Sequence, residues 1–278
     1  MSKELYVPVG GSNRKVKSIL VPVNGVYRKV RIGYVPVKGA NRQFYSSGTP
    51  ISSLSVGSIV NVYYHGTLRP FIIVQIGNPD NSIYGSGCDG VWLIDKYVIY
   101  QEHGRQQMMN DDSDAYYNQS SLHSFLNSTY FNDLGSGVRQ TMSEVNIPYI
   151  SNVTQNGKYG IATISNMNTK VFILSATELG SIMDSSRDNY FPLGKKMSYF
   201  GAGTWLGYFG DNTAAMCPGG TSTADYRSYW TRSMARPTYY DSWGSNFTQP
   251  RNLATDYCDV RPCFVVPMET TLETLQTP

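Results

Sequence analysis

Apolar and polar positions alternate in short runs over the first 45 residues, and the runs recur every 14 residues. Tyr6-Val7-Pro8-Val9-Gly10-Gly11-Ser12-Asn13-Arg14-Lys15-Val16 is followed by Leu20-Val21-Pro22-Val23-Asn24-Gly25-Val26-Tyr27-Arg28-Lys29-Val30. Tyr34-Val35-Pro36-Val37-Lys38-Gly39-Ala40-Asn41-Arg42-Gln43-Phe44 is the third copy. Each unit predicts a strand, a glycine turn and a second strand. Asn24-Gly25 is a strong hairpin signal, because both residues tolerate positive φ. Proline in every first strand removes a ladder donor and places those strands at edges or in open assemblies. A 14-residue unit cannot bury a core, so the repeats need stacking, oligomerisation or a partner surface.

After a linker-like stretch at 46–53, Val, Ile and Tyr predict strands over 58–64, 70–77 and 91–100. Ser120 or Ser121 can cap a helix that carries Leu122, Phe125, Leu126 and Tyr130 at helical spacing. A second helix is expected over about 138–145. A third is expected from the capping-box pattern Ser175-Ala176-Thr177-Glu178, with Leu179, Ile182 and Met183 on its apolar side. A buried strand over 170–174 precedes it. From about 190 to 262 the chain is rich in Gly, Tyr and Ser and shows little periodicity. Cys263-Phe264-Val265-Val266 then closes the core as a last strand. The expected fold class is α+β, with a few helices and an irregular, loop-rich C-terminal half.

Composition sharpens this picture. Hydrophobic residues make up 41% of the 278, charged residues only 15%, and tyrosine alone counts 22. That palette suits a β- and loop-rich binding protein better than a helical bundle. Charge is split: residues 1–47 hold nine Lys/Arg against Glu4 alone, whereas the remainder holds 14 basic and 19 acidic residues. Two segments with different partners are implied. No apolar run approaches the ~18 residues of a membrane span, and the N-terminus lacks a signal pattern. Synthesis in a cytosol is therefore expected, with any extracellular role arising through particle assembly or lysis, and no membrane insertion. The basic strands fit charged edges or an acidic partner better than nucleic acid.

Cys88, Cys217, Cys258 and Cys263 do not show zinc-site spacing, and His65, His103 and His123 are scattered. Buried thiols are expected; a Cys258–Cys263 disulfide stays open. Asp111, Asp112 and Asp114 lack EF-hand spacing and read as a solvated loop. Gly201-Ala202-Gly203 reads as a turn. No Gly-x-Ser-x-Gly elbow is present, and His123 lies among apolar residues. The nearest carboxylates for glycan hydrolysis are Asp225, Asp241, Asp256 and Asp259. No catalytic residue, metal or cofactor is assigned.

The C-terminal half carries the strongest binding signal. Tyr226, Tyr229, Trp230, Tyr239, Tyr240, Trp243, Phe247 and Tyr257 place eight aromatics in 32 positions, about twice the 13% chain average. Such density argues against disorder. Small polar residues interleave, which a core segment would not carry, and the mixture is that of hot-spot patches. The expected ligand-binding residues are Tyr226, Tyr229, Tyr239, Tyr240, Asp241, Trp243, Asn246, Phe247, Asn252 and Tyr257. Arg232 and Arg261 are expected to pin the irregular loops, a task suited to the guanidinium fork. Trp92 and Trp230 are expected in the core.

Two resemblances build on these residues. The N-terminal units resemble the Val-x-Val-x-Gly-x-x-Arg-Lys-Val repeats at the start of many tail and virion proteins of phages of Gram-positive bacteria. Further on, Trp92-Leu93-Ile94, Ser121-Leu122-His123-Ser124-Phe125-Leu126-Asn127, Val171-Phe172-Ile173-Leu174-Ser175, Tyr229-Trp230-Thr231-Arg232-Ser233 and Val260-Arg261-Pro262 follow in order. This order resembles a domain family common in gut Firmicutes and their phages, which is similar to the formylglycine-generating-enzyme-like branch of the C-type lectin fold. Variable proteins of diversity-generating retroelements share that fold, and there the segment corresponding to 234–259 displays ligand-binding side chains. The Glu-Pro-Asn and Trp-Asn-Asp patterns of calcium-dependent sugar binding are missing, and the cysteines do not match the catalytic arrangement. The resemblance implies an attachment segment at 1–47 and a lectin-like binding domain at 48–278. It implies a virion location at the tail tip or fibre, a homotrimer, contacts of 1–47 with other tail or baseplate proteins, and host adhesion to a surface glycan or protein. The alternatives are a structural baseplate or virion decoration protein, and a tail-associated glycan hydrolase.

Overall fold

The computed structural model describes the strand backbones within residues 6–46, then residues 48–99, 107–108, 116–156, 159–180, 191–200, 229–236, 239–243, 251–253 and 257–278. The class is α+β, mostly strands with few helices. Each 14-residue repeat forms one hairpin: β1 (Tyr6–Val9) with β2 (Ser12–Lys15), β3 (Ile19–Val23) with β4 (Val26–Val30), and β5 (Ile32–Val37) with β6 (Ala40–Ser46). The register repeats with the sequence. Val7, Val21 and Val35 stand opposite Arg14, Arg28 and Arg42, and Pro8, Pro22 and Pro36 opposite Asn13, Tyr27 and Asn41. Each hairpin is a separate two-stranded sheet.

Next come β7 (Ile59–Tyr64), β8 (Thr67–Ile76), β9 (Val91–Asp95) and β10 (Gln107–Met108). They are followed by β11 (Val145–Asn156), β12 (Tyr159–Thr169) and β13 (Val171–Ile173). The last strands are β14 (Tyr229–Arg236), β15 (Tyr239–Trp243), β16 (Arg251–Leu253), β17 (Tyr257–Cys258) and β18 (Pro262–Val266). The main sheet has the order β13-β18-β9-β8-β7 and is antiparallel throughout. Every residue of β9 and β18 is buried, which is why Val91–Ile94 and Cys263–Val266 read as continuous apolar runs. On the edge strand β7, Val60, Val62 and Tyr64 are buried and Ile59 and Asn61 exposed, the alternation of a strand with one wet face. Trp92 sits at the centre of the core. Its indole donates to the Cys88 carbonyl at 3.0 Å, and Tyr84 and Phe172 meet it edge-on.

The first expected helix forms as Ser121–Phe125, a π turn at Leu126–Tyr130, and Phe131–Asp133. Ser120 is its cap, accepting from the His123 backbone N–H at 3.1 Å. Asn127 ties the helix to β13: its Oδ1 accepts from the Val171 N–H and its Nδ2 donates to the Val171 carbonyl. The second helix occupies Ser136–Thr141, and Val145, expected at its end, instead opens β11. Of the expected third helix, the described residues 176–180 form a turn. Its capping box does form, with Ser175 N–H on Glu178 Oε2 at 2.9 Å and Glu178 N–H on Ser175 Oγ at 3.1 Å. Gly180, at φ +90°, takes the left-handed conformation that ends helices. Ile182 and Met183 lie outside the described residues.

Two parts of the sheet architecture depart from the apolar pattern. The long hairpin β11–β12 was not foreseen, because Pro148 and a bulge between Ile150 and Asn152 break its alternation. Within the stretch expected to be irregular, β14, β15 and β16 form a three-stranded antiparallel sheet. Cys88, Cys258 and Cys263 are buried, and Cys258 and Cys263 form no disulfide with each other; Cys217 lies outside the described residues. Among the described residues, no helix is long and apolar enough to cross a membrane.

Candidate binding face and its buried ionic anchors

The aromatic segment leaves the core at β14 and returns at β18, and its two ends meet. The Trp230 N–H donates to the Asp259 carbonyl at 3.0 Å, and Tyr229 and Asp259 form a parallel bridge. Tyr229, Trp230, Thr231, Arg232 and Ser233 are all buried, as are Asp259, Val260 and Arg261. The register of β14 slips beyond that base. Trp230 stands opposite Ser242 and Met234 opposite Tyr240, so four steps along β14 match two along β15. The slack bulges the strand between Trp230 and Met234, where the Arg232 side chain is fully buried.

Arg232 gives each guanidinium nitrogen a partner. Nε donates to the Pro148 carbonyl at 3.0 Å, Nη1 to the Ile173 carbonyl at 2.5 Å and Nη2 to Glu178 Oε1 at 2.5 Å. Both charged side chains are 0% exposed. The Tyr84 hydroxyl donates to the same Glu178 oxygen at 2.6 Å and accepts from the Lys195 N–H at 2.8 Å. Burial, with the adjacent Glu178 carboxylate, pushes the Tyr84 hydroxyl well up, so it remains a donor. One carboxylate thus joins the loop before β9, the turn after β13, and β14. Its desolvation is offset only because its partners are all in place.

The second anchor belongs to the segment's C-terminal end. Arg261 Nε donates to the Asp95 carbonyl at 2.9 Å, and its guanidinium lies over the Tyr229 ring at 5.6 Å. The Asp95 carboxylate accepts from Arg69 Nε at 2.5 Å and from the Tyr97 N–H at 3.0 Å. Burial pushes its pKa up to about 6, against the lowering pull of Arg69. Arg232 and Arg261 therefore act as the loop pins that the sequence suggested, and Trp92 and Trp230 lie in the core.

The expected ligand-binding residues divide. Tyr239, Tyr240, Asp241 and Trp243 lie on β15, and Asn252 on β16 directly opposite Tyr240. Asp241 pairs in register with Arg251, and Trp243 with Tyr229. Tyr257 belongs to β17, opposite Met108 in a different sheet. Tyr226, Asn246 and Phe247 lie outside the described residues. Tyr229 corrects the expectation: it is 2% exposed, and its ring is the platform for Arg261 rather than part of an open surface.

Of the candidate hydrolytic carboxylates, Asp259 is buried at the base of the segment, and Asp225 and Asp256 lie outside the described residues. His123 Nε2 meets Thr169 Oγ1 at 3.1 Å, and burial lowers its pKa. His103 and the acidic trio at 111–114 lie outside the described residues. Among the described residues, no group of three His, Cys, Asp or Glu is placed to hold a metal ion. Sequence reasoning missed Tyr84 and Glu178 as anchor residues. The capping box gave Glu178 a local task, and nothing local signals its second oxygen's partners.

No curated protein and no solved structure matches the chain. A family model does match, over residues 89–268, from the start of β9 through β18 and thus across both arginine anchors. That span is well over half of the chain, and the protein belongs to the family described as domain of unknown function DUF6273.

Proposed function

We propose that the protein is a non-enzymatic adhesin of a phage tail or phage-like particle. Residues 1–47 attach it to other tail or baseplate proteins and associate its copies into a homotrimer. Residues 48–278 form a C-type-lectin-like domain that presents the 225–257 segment to a glycan or protein on the host surface. The observation that carries this reading is the construction of that segment. Its two ends are hydrogen-bonded to each other and fixed by buried arginines, while the aromatic and polar residues between them sit on a sheet beyond the bulge. A rigid base lowers the ordering cost of binding, and Tyr and Trp supply contact area with few torsions to freeze.

The test is adsorption. Tyr239, Tyr240 and Trp243 are replaced together by Ala, and attachment of particles, or of labelled protein, to host cells is measured beside a melting curve. The expected outcome is a loss of attachment of at least tenfold, since hot-spot truncations cost about 2 kcal/mol or more. Normal attachment by a folded variant refutes the proposed face. Release of soluble fragments from purified host wall would replace the adhesin reading with that of a glycan hydrolase.

A further inference from the structure

The hairpin β11–β12 has two unlike edges. The outer edge of β11 is occupied: Gly85 N–H donates to the Asn146 carbonyl, Asn146 N–H to the Ser86 carbonyl, Arg232 to the Pro148 carbonyl, and Val153 N–H to the Tyr116 hydroxyl. Among the described residues, no backbone N–H or C=O bonds to the outer edge of β12 over 161–168; Asn166 alone reaches a neighbouring loop, its side chain donating to the Ile83 carbonyl. Natural proteins protect such an edge with Lys, Pro, a bulge or a covering loop. β12 has none of the first three. Its sequence, Tyr159-Gly160-Ile161-Ala162-Thr163-Ile164-Ser165-Asn166-Met167-Asn168-Thr169, holds no charge and no proline, and the register irregularity falls on β11. Ile161 is 58% exposed and Ile164 49%.

We propose that this edge is an interface between two copies of the chain, paired antiparallel through β12. Neutrality argues for self-pairing, because like charges directly opposite would destabilise it and β12 has none. Outward-pointing backbone groups belong to alternate residues, so antiparallel self-pairing sets residues of like parity opposite each other and puts the two-fold axis on a residue. With that axis at Thr163, Ile161 faces Ser165 of the second copy and Ile164 faces Ala162. Each exposed isoleucine then meets a small side chain, and Thr163 meets its own copy, a favourable cross-strand pair. The two edges close on each other, leaving no free strand for open-ended growth.

This contact does not depend on what the 225–257 segment binds. The test uses the full chain. Sedimentation compares wild type with Ile164→Lys, and Thr163→Cys is treated with a short thiol-reactive cross-linker, with wild type and Asn168→Cys as backgrounds. The expected result is a twofold drop in assembly mass for Ile164→Lys and cross-linked dimers from Thr163→Cys alone. Because Ile164 is half exposed, the lysine is expected to leave the fold intact; should it not, the cysteine experiment decides. An unchanged mass for folded Ile164→Lys, or cross-linking of Thr163→Cys no greater than the backgrounds, overturns the interface. Normal host attachment alongside either result would leave the adhesin reading standing.

Discussion

Replacing Arg232 by Met leaves the Glu178 carboxylate fully buried with only the Tyr84 hydroxyl and the Ser175 N–H, and strips the Pro148 and Ile173 carbonyls of a donor. Breaking a buried pair from one side costs about 3–5 kcal/mol, because the remaining charge is uncompensated. For a domain stable by roughly 5–15 kcal/mol, that is a large share of the total. Glu178→Leu should cost a similar amount by stranding the guanidinium. The double variant should cost much less than the sum of the two, since it removes both charges and leaves apolar side chains of comparable volume. The assay is urea unfolding followed by tryptophan fluorescence, with buried Trp92 and Trp230 as reporters. The expected interaction energy is about 2–3 kcal/mol, at the upper end for residues in contact. Additivity within about 0.5 kcal/mol, or a single-variant loss under about 1 kcal/mol, would refute the claim that this ion pair fixes the base of the segment.

Asp95 should titrate near 6 in the folded protein, above the ordinary aspartate value of 3.8, chiefly because burial disfavours the carboxylate. A folded pKa above the unfolded one means that protonation favours the fold. The contribution is complete below about 3.8 and is lost as pH rises through about 6. Carbon-13 titration of the carboxyl group and melts across that window check this; a flat profile, or one unchanged in Asp95→Asn, contradicts it. Gly194→Ala should destabilise more than Gly66→Ala. Both glycines sit at positive φ, +84° and +82°, where a side chain costs roughly 1–2 kcal/mol. A Cβ at Gly194 would lie 2.5 Å from the Tyr84 hydroxyl and 2.6 Å from Glu178 Oε1, whereas at Gly66 nothing lies within 4 Å. Equal melting temperatures for the two variants would show that the anchor network yields easily.

What the sequence determined by itself is what neighbouring residues decide among themselves. Turn glycines and strand alternation made the three repeat hairpins legible, and they form in one register because the same 14 residues recur. The Ser120 cap, the Ser175–Glu178 box and the buried runs of β9 and β18 were legible for the same reason. Tertiary structure alone decided the rest. It set Gly180 in the left-handed conformation and ordered an apparently irregular stretch into β14–β16, whose bulges hide the period of two. It also moved Tyr229 from the expected face into the core. A tyrosine among small polar neighbours reads the same in sequence whether solvent or Arg261 covers its ring. Glu178 obeys the same division: one oxygen meets a backbone N–H three residues away, while the other meets Tyr84 and Arg232, 94 and 54 residues distant. Local pattern can specify the first bond, and only the folded chain can supply the partners that make a buried charge tolerable.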